Sequence, residues 1–325
     1  MRVMEDSCKK LNDRIEALFG GLQYVKIDVR FFADQDVRMR YWIGAVLRNR
    51  FLFAANQVFD ENGVSLRRIL DTISLPEEHF LYRYLRGGAP KGFLFDCSSL
   101  PGRGSGFTLE ANRIYSFSLV IIGDRIKYKS LFMDALKIMI ESGFGVPVVP
   151  LQLIGCSEES VRMSCMQDIL LEADAVKCRL YFDTPVSLVQ ATGHETGRGF
   201  QNKLNNFPSF YQFMRSLVYR LLTLNILYSD KGLFNSKDEM DSFVNIFIAQ
   251  STDAALLSAD IRQETCYSSP KAGKDSVYTM KGFIGTLCYE EVPSVYIPLI
   301  LFGSDFGVGS NVNYGLGNYR VTFIQ

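Results

Sequence analysis

Between residues 22 and 31 the chain alternates, with Val25, Ile27, Val29 and Phe31 on one side and Tyr24, Lys26, Asp28 and Arg30 on the other. A period of two is that of a strand with one buried face. Residues 39–59 read as a helix, with Trp42, Val46, Phe53 and Val58 along one side. Gly44 within it costs about 1 kcal/mol relative to alanine, which points to close packing or a ligand. Residues 60–86 read as an insertion with one short helix near 65–73. Strands are expected at 90–96 and 113–123, separated by the turn chemistry of 101–106. A helix over 127–141 carries Leu131, Ala135, Ile138 and Met139, and Gly143 suits its C-terminal cap. A strand over 146–154 follows, interrupted by Pro147 and Pro150.

The second half repeats this order. A strand is expected at 177–188 and a polar, glycine-bearing loop at 191–200. Residues 207–227 form a helix with the apolar stripe Phe210, Phe213, Met214, Leu217, Leu221 and Leu224, leaving Arg215 and Arg220 outside it. A second helix covers 238–249, and 255–267 pairs with 277–289 as a hairpin. Residues 293–302 read as a helix or buried strand, and 319–324 as the last strand. Each half thus offers the ferredoxin-like, RRM-like order βαββαβ. The expectation is an α+β chain of two tandem domains, residues 1–155 and 176–325, with an insertion at 60–86, a linker at 156–175 and a central cleft holding the site. Alternating strands and helices alone would also allow other α/β arrangements.

Composition narrows the function. A hydrophobic fraction of 47% over 325 residues supports a folded core. The apolar runs are too short to cross a bilayer, and no signal pattern opens the chain, so a cytoplasmic protein without membrane contact is expected. Seven scattered cysteines suit reduced thiols better than a disulfide framework. Formal net charge is zero, which argues against a strong nonspecific nucleic-acid binder. Cations nevertheless gather in the first third, at Arg38, Arg40, Arg48, Arg50, Arg67, Arg68, Arg83, Arg86, Lys91 and Arg103. Two histidines, His79 and His194, and no close cysteine pair give little basis for a metal centre. A phosphate-binding Walker loop and a G-x-S-x-G nucleophile elbow are both missing, so no cofactor is expected.

Near the C-terminus, Gly307-Val308-Gly309 and Gly315-Leu316-Gly317 bracket five mostly polar residues. Four glycines at fixed spacing imply positive φ angles or close approach by another group. Amides exposed in such a loop suit an anion; a plain glycine-rich hairpin is the other reading. Upstream lies a hydrophobic run ending in Thr184-Pro185-Val186, and Trp42-Ile43-Gly44-Ala45 opens the expected first helix. On these motifs the chain resembles the CRISPR pre-crRNA processing endoribonucleases of the RAMP superfamily over most of residues 42–325. Two departures are visible. Residues 310–314 carry no lysine or arginine, and residues 41–59 carry no histidine.

The resemblance implies cleavage of CRISPR repeat RNA without metal, by attack of a 2′-hydroxyl on the adjacent phosphate. The products are a 2′,3′-cyclic phosphate and a 5′-hydroxyl. That chemistry needs a base, an acid and cations for the phosphorane. Candidate catalytic residues are His194, His79, Tyr41, Arg48, Arg50 and Lys91, and candidate RNA-binding residues are Gly307, Gly309, Gly315, Gly317, Arg40 and Lys281. Phe283, in a glycine-bearing strand similar to the RNA-stacking strand of RRM domains, is either core or a base platform. Expected partners are repeat RNA or crRNA and subunits of a CRISPR effector complex, the chain being a monomer or homodimer. The alternative is a RAMP subunit that binds crRNA without cutting it.

Overall fold

The computed structural model describes residues 15–73, 75–85, 89–101, 106–162, 175–188, 207–230, 232–269 and 277–324. The first sheet is built from β1 (Gln23–Ala33), β3 (Phe93–Asp96), β5 (Arg113–Ile122) and β6 (Gln152–Arg162), in the order β3-β5-β1-β6. All its pairs are antiparallel. Val25, Ile27, Val29, Phe31 and Ala33 of β1 form one buried row. It packs with the helices α1 (Ile43–Ala54) and α4 (Lys129–Glu141), whose Phe51 and Phe132 rings stack at 5.6 Å. The insertion supplies α2 (Leu66–Asp71) and α3 (Tyr82–Leu85). A small ribbon pairs β2 (Val37–Met39) with β4 (Phe107–Leu109).

The second sheet comprises β7 (Ala175–Val186), β8 (Ala255–Tyr267), β9 (Thr279–Pro293) and β10 (Tyr319–Ile324), in the order β10-β7-β9-β8. Taken in chain order, both sheets have the ferredoxin-like sequence of neighbours, fourth, first, third, second. Helix α5 (Phe210–Tyr228) starts at a capping box, Ser209 with Gln212, and buries its whole expected stripe. Helices α6 (Lys237–Phe247) and α7 (Ile297–Ser304) complete the domain. The residues at 293–302 therefore resolve mainly into a helix, α7, with Pro298 in its first turn.

Three expectations are corrected. The buried side of α1 is Ile43, Leu47, Phe51 and Ala54, while Phe53 is 60% exposed. Trp42, Val46 and Phe53 are helically spaced too, but the fold turns the Ile43 side inward, buries Trp42 at the N-cap and leaves Phe53 to solvent, and Val58 lies beyond the helix. Next, residues 146–150 are turn and β6 starts at Gln152, because Pro147 and Pro150 have no N–H to give a ladder. Finally, β6 runs on to Arg162, through residues expected as linker. It is an edge strand with mostly exposed side chains, so it lacks the apolar signal that marks a central strand.

The domains are joined by the end of α5. Its Ser229 hydroxyl donates to the Gly21 carbonyl at 2.8 Å, Asn225 donates to Leu18 O, and the Tyr228 hydroxyl donates to Pro90 O. Tyr24, Leu94, Val120 and Ile122, from the outward face of the first sheet, share a hydrophobic cluster with α5.

Candidate nucleic-acid interface

All four motif glycines have positive φ, +66° at Gly307, +84° at Gly309, +71° at Gly315 and +76° at Gly317. A Cβ on Gly317 would lie 2.0 Å from Val308 O, and one on Gly309 would lie 2.5 Å from Ser187 O. The loop folds back on itself and on the end of β7. Gly317 N–H donates to Pro185 O at 2.9 Å, Ser310 N–H to Ser187 O at 3.0 Å, and Asn318 N–H to the Thr184 hydroxyl at 2.8 Å. The Thr-Pro-Val motif and the glycine loop, far apart in sequence, are one unit in space. Gly307, Gly315 and Gly317 are buried, and Gly309 is half-buried. The glycines shape the loop, while Asn311, Asn313 and Tyr314 reach its surface.

The two hydrophobic residues between the glycines go to different places. Val308 enters the core cluster of the second domain, and Leu316 enters that of the first. The loop is therefore a staple across the domains. Its centre sits on the start of α1. Trp42 Nε1 donates to Tyr314 O at 2.7 Å, and a Cβ on Gly44 would stand 2.2 Å from that oxygen. Gly44 thus answers to close packing. Arg48, one turn further along α1, holds its guanidinium 4.6 Å from the Tyr314 ring centre. Burial lowers the Arg48 pKa; the neighbouring Tyr314 opposes the shift. Arg48 Nε and Asn313 Oδ1 are buried without a hydrogen-bond partner among the described residues. The root of the β8–β9 hairpin closes this corner, with Trp42 N–H donating to Tyr267 O at 2.9 Å and Asn49 to the Ser269 hydroxyl at 3.1 Å.

Beside the staple, the open faces of the two sheets line a cleft. Asp305, just before the glycine loop, accepts from Lys26 at 2.7 Å and from the Tyr24 hydroxyl at 2.5 Å, both on β1. Burial would lower the Lys26 pKa, but the Asp305 charge and hydrogen bond, with Asp96 and Asp28, raise it overall. Across the cleft Arg320 of β10 makes a bidentate pair with Asp183 at 2.6 and 2.9 Å and lies 5.5 Å from the Tyr181 ring centre. Its pKa is raised by Asp183 first, with a smaller push from Asp96 on the other sheet.

The sequence candidates fall into separate groups. Arg40 is exposed, and Tyr41, Arg48 and Arg50 are half-buried; of these, Arg48 lies against the staple, over the Tyr314 ring. Lys91 pairs with Asp71, which also binds Arg67 at 2.6 Å, so Lys91 serves a salt-bridge network. His79 lies in the insertion, its ring stacked on Phe80 at 4.6 Å and its Nδ1 accepting the Leu81 amide at 3.2 Å. His194 lies outside the described residues. Lys281 is exposed on β9. Phe283 is core, 2% exposed and packed edge-on against Phe182. Sequence reasoning missed Tyr314, Lys26, Asp305 and Arg320. An aromatic inside the glycine loop was the one available signal; the others depend on which surfaces the domains turn to each other.

Two ferredoxin-like domains stapled by a glycine-rich loop define the class of fold. Residues 180–319 match the family of the CRISPR-associated endoribonuclease Cas6. The matched stretch runs through the second domain, from β7 to the start of β10. Among solved structures it is similar to a Thermus thermophilus Cas6 in a product complex, with TM-score 0.52 and 14% identity over 92% of this chain and 99% of that one. It is also similar to a chain of a Cas6-RT-Cas1–Cas2 complex, with TM-score 0.55 and 10% identity over 93% of this chain and 29% of that one. No curated protein sequence matches. Among the described residues no helix is long and apolar enough to cross a membrane.

Proposed function

We propose that this protein cleaves CRISPR repeat RNA without a metal ion, at the corner where the staple meets α1. The observation that carries this reading is the Trp42–Tyr314 bond with Gly44 beneath it, which fixes the start of α1, with Arg48 one turn on and over the Tyr314 ring, against the glycine loop of the other domain. In the reaction the 2′-oxygen forms a bond to phosphorus while the bond to the 5′-oxygen breaks. The 2′-hydroxyl proton passes to a base, and an acid gives a proton to the leaving oxygen. Arg48 and Arg50 stabilise the phosphorane charge, and Tyr41 orients the phosphate or protonates the leaving oxygen. His194 and His79 are the candidate bases. Arg40 and Lys281, both exposed, hold the RNA backbone. The protein acts in the cytoplasm, alone or as a homodimer, with CRISPR complex subunits as partners; the fold it shares with part of a Cas6-RT-Cas1–Cas2 complex supports that association.

The test is a denaturing gel of repeat RNA incubated in EDTA. One cut is expected, leaving a 2′,3′-cyclic phosphate, and a 2′-deoxy nucleotide at that position abolishes it. Arg48→Ala is expected to slow cleavage at least ~10-fold, the scale of one lost charge-stabilising group. RNA bound and left intact by the wild type would turn the reading to a non-cleaving RAMP subunit.

A further inference from the structure

Tyr278 stands at the foot of the β8–β9 hairpin with about half its surface exposed, 49%. An aromatic in that position is ordinarily loosely held, but here it is fixed at both ends. Its carbonyl accepts from Ser268 N–H at 3.0 Å, and its hydroxyl donates to Asn311 Oδ1, in the glycine loop, at 3.1 Å. Its ring lies 5.9 Å from that of Tyr314, at 34°. The Arg48 guanidinium lies 4.6 Å from the Tyr314 ring centre. Tyr314 cannot slide away, because Trp42 holds its carbonyl at 2.7 Å. Guanidinium, ring and ring form a ladder assembled from α1, the glycine loop and the hairpin, with Tyr278 as its exposed rung.

We propose that this ladder is a subsite for one unpaired RNA base, which stacks on Tyr278. The proposal rests on the RNA-cleaving reading above and adds a residue and a ligand class to it. A fixed aromatic loses little conformational freedom when a planar ligand settles on it, so its surface is used efficiently. Every base has a π-face, so stacking here is tolerant of sequence. The neighbouring Arg48–Tyr314 pair adds a cationic group, which suits a nucleotide with its phosphate better than a neutral aromatic ligand. Arg48 Nε and Asn313 Oδ1, in the same cluster, have no hydrogen-bond partner among the described residues, which is unusual for buried polar atoms.

The probe is a single-stranded RNA decamer of adenosines with one central 2-aminopurine. Binding to the wild type is expected to quench the 2-aminopurine fluorescence. Tyr278→Ala should weaken binding about 10-fold, remove most of the quench and leave the salt dependence of binding unchanged, since stacking releases no counterions. Tyr278→Phe should keep the quench and most of the affinity, losing only the share that the hydroxyl anchor contributes. Thermal melts check that each variant is folded. Equal affinity and quench in Tyr278→Ala, from a wild type that binds and cuts repeat RNA, overturns the ladder alone. A wild type that binds neither the decamer nor repeat RNA overturns both readings.

Discussion

Arg220 looks, in the helical pattern of residues 207–227, like a solvated charge beside an apolar stripe. In the fold its Nε donates to the Phe306 carbonyl at 2.7 Å. That carbonyl follows the C-terminus of α7, where the helix dipole is negative and a cation is stabilised. Burial lowers the Arg220 pKa to about 10, still far above neutrality, so the group stays charged. Arg220 thereby fixes the point where the glycine loop begins. Removing it leaves that carbonyl without its charged donor. Arg220→Ala should lower the unfolding free energy by about 1.5–3 kcal/mol, the range for hydrogen bonds to charged groups. Urea denaturation of the two proteins measures it, and an unchanged midpoint would mean that the bond has no structural weight.

Among the elements, helix α5 was legible and helix α1 only half so. The α5 stripe follows the helical period because one side of it is covered along its whole length, and the sequence shows that directly. In α1 the start is set by the docking of Trp42 and Gly44 against Tyr314, a contact with the other domain, so its first residue could not be read locally. The glycine loop shows the same division. Its spacing announced positive φ angles, and all four are there. Its two hydrophobic residues gave no hint that they enter separate cores. Leu316→Ala empties a site in the first domain and should cost about 2–5 kcal/mol, as for other buried leucines. A two-domain melt in which the first domain loses most of the stability would bear this out; a loss confined to the second domain would contradict the staple.

For the molecule as a whole, Lys26 of the first sheet and Asp305, at the end of α7, tie the two domains together. The folded-state pKa of Lys26 lies above its ordinary value of 10.5. Its stabilising contribution is therefore complete below that value and disappears as pH rises through the folded-state pKa. Wild type and Lys26→Met should differ in Tm at pH 8, and the gap should narrow as pH rises past the ordinary lysine value of 10.5. A gap of constant size across that range would show that the ammonium charge is not what ties the domains.

The sequence by itself determined the two βαββαβ units, the alternation of β1, the buried face of α5 and the need for glycine at four positions of one loop. These are local matters: a period, a cap or a φ angle is written in neighbouring residues. Only the tertiary structure decided that the loop bridges both cores, that Arg48 rests on Tyr314, and that Lys26 and Arg320 line one cleft. Those contacts depend on how two independently patterned surfaces dock, and a docked surface has no periodicity of its own to be read along the chain.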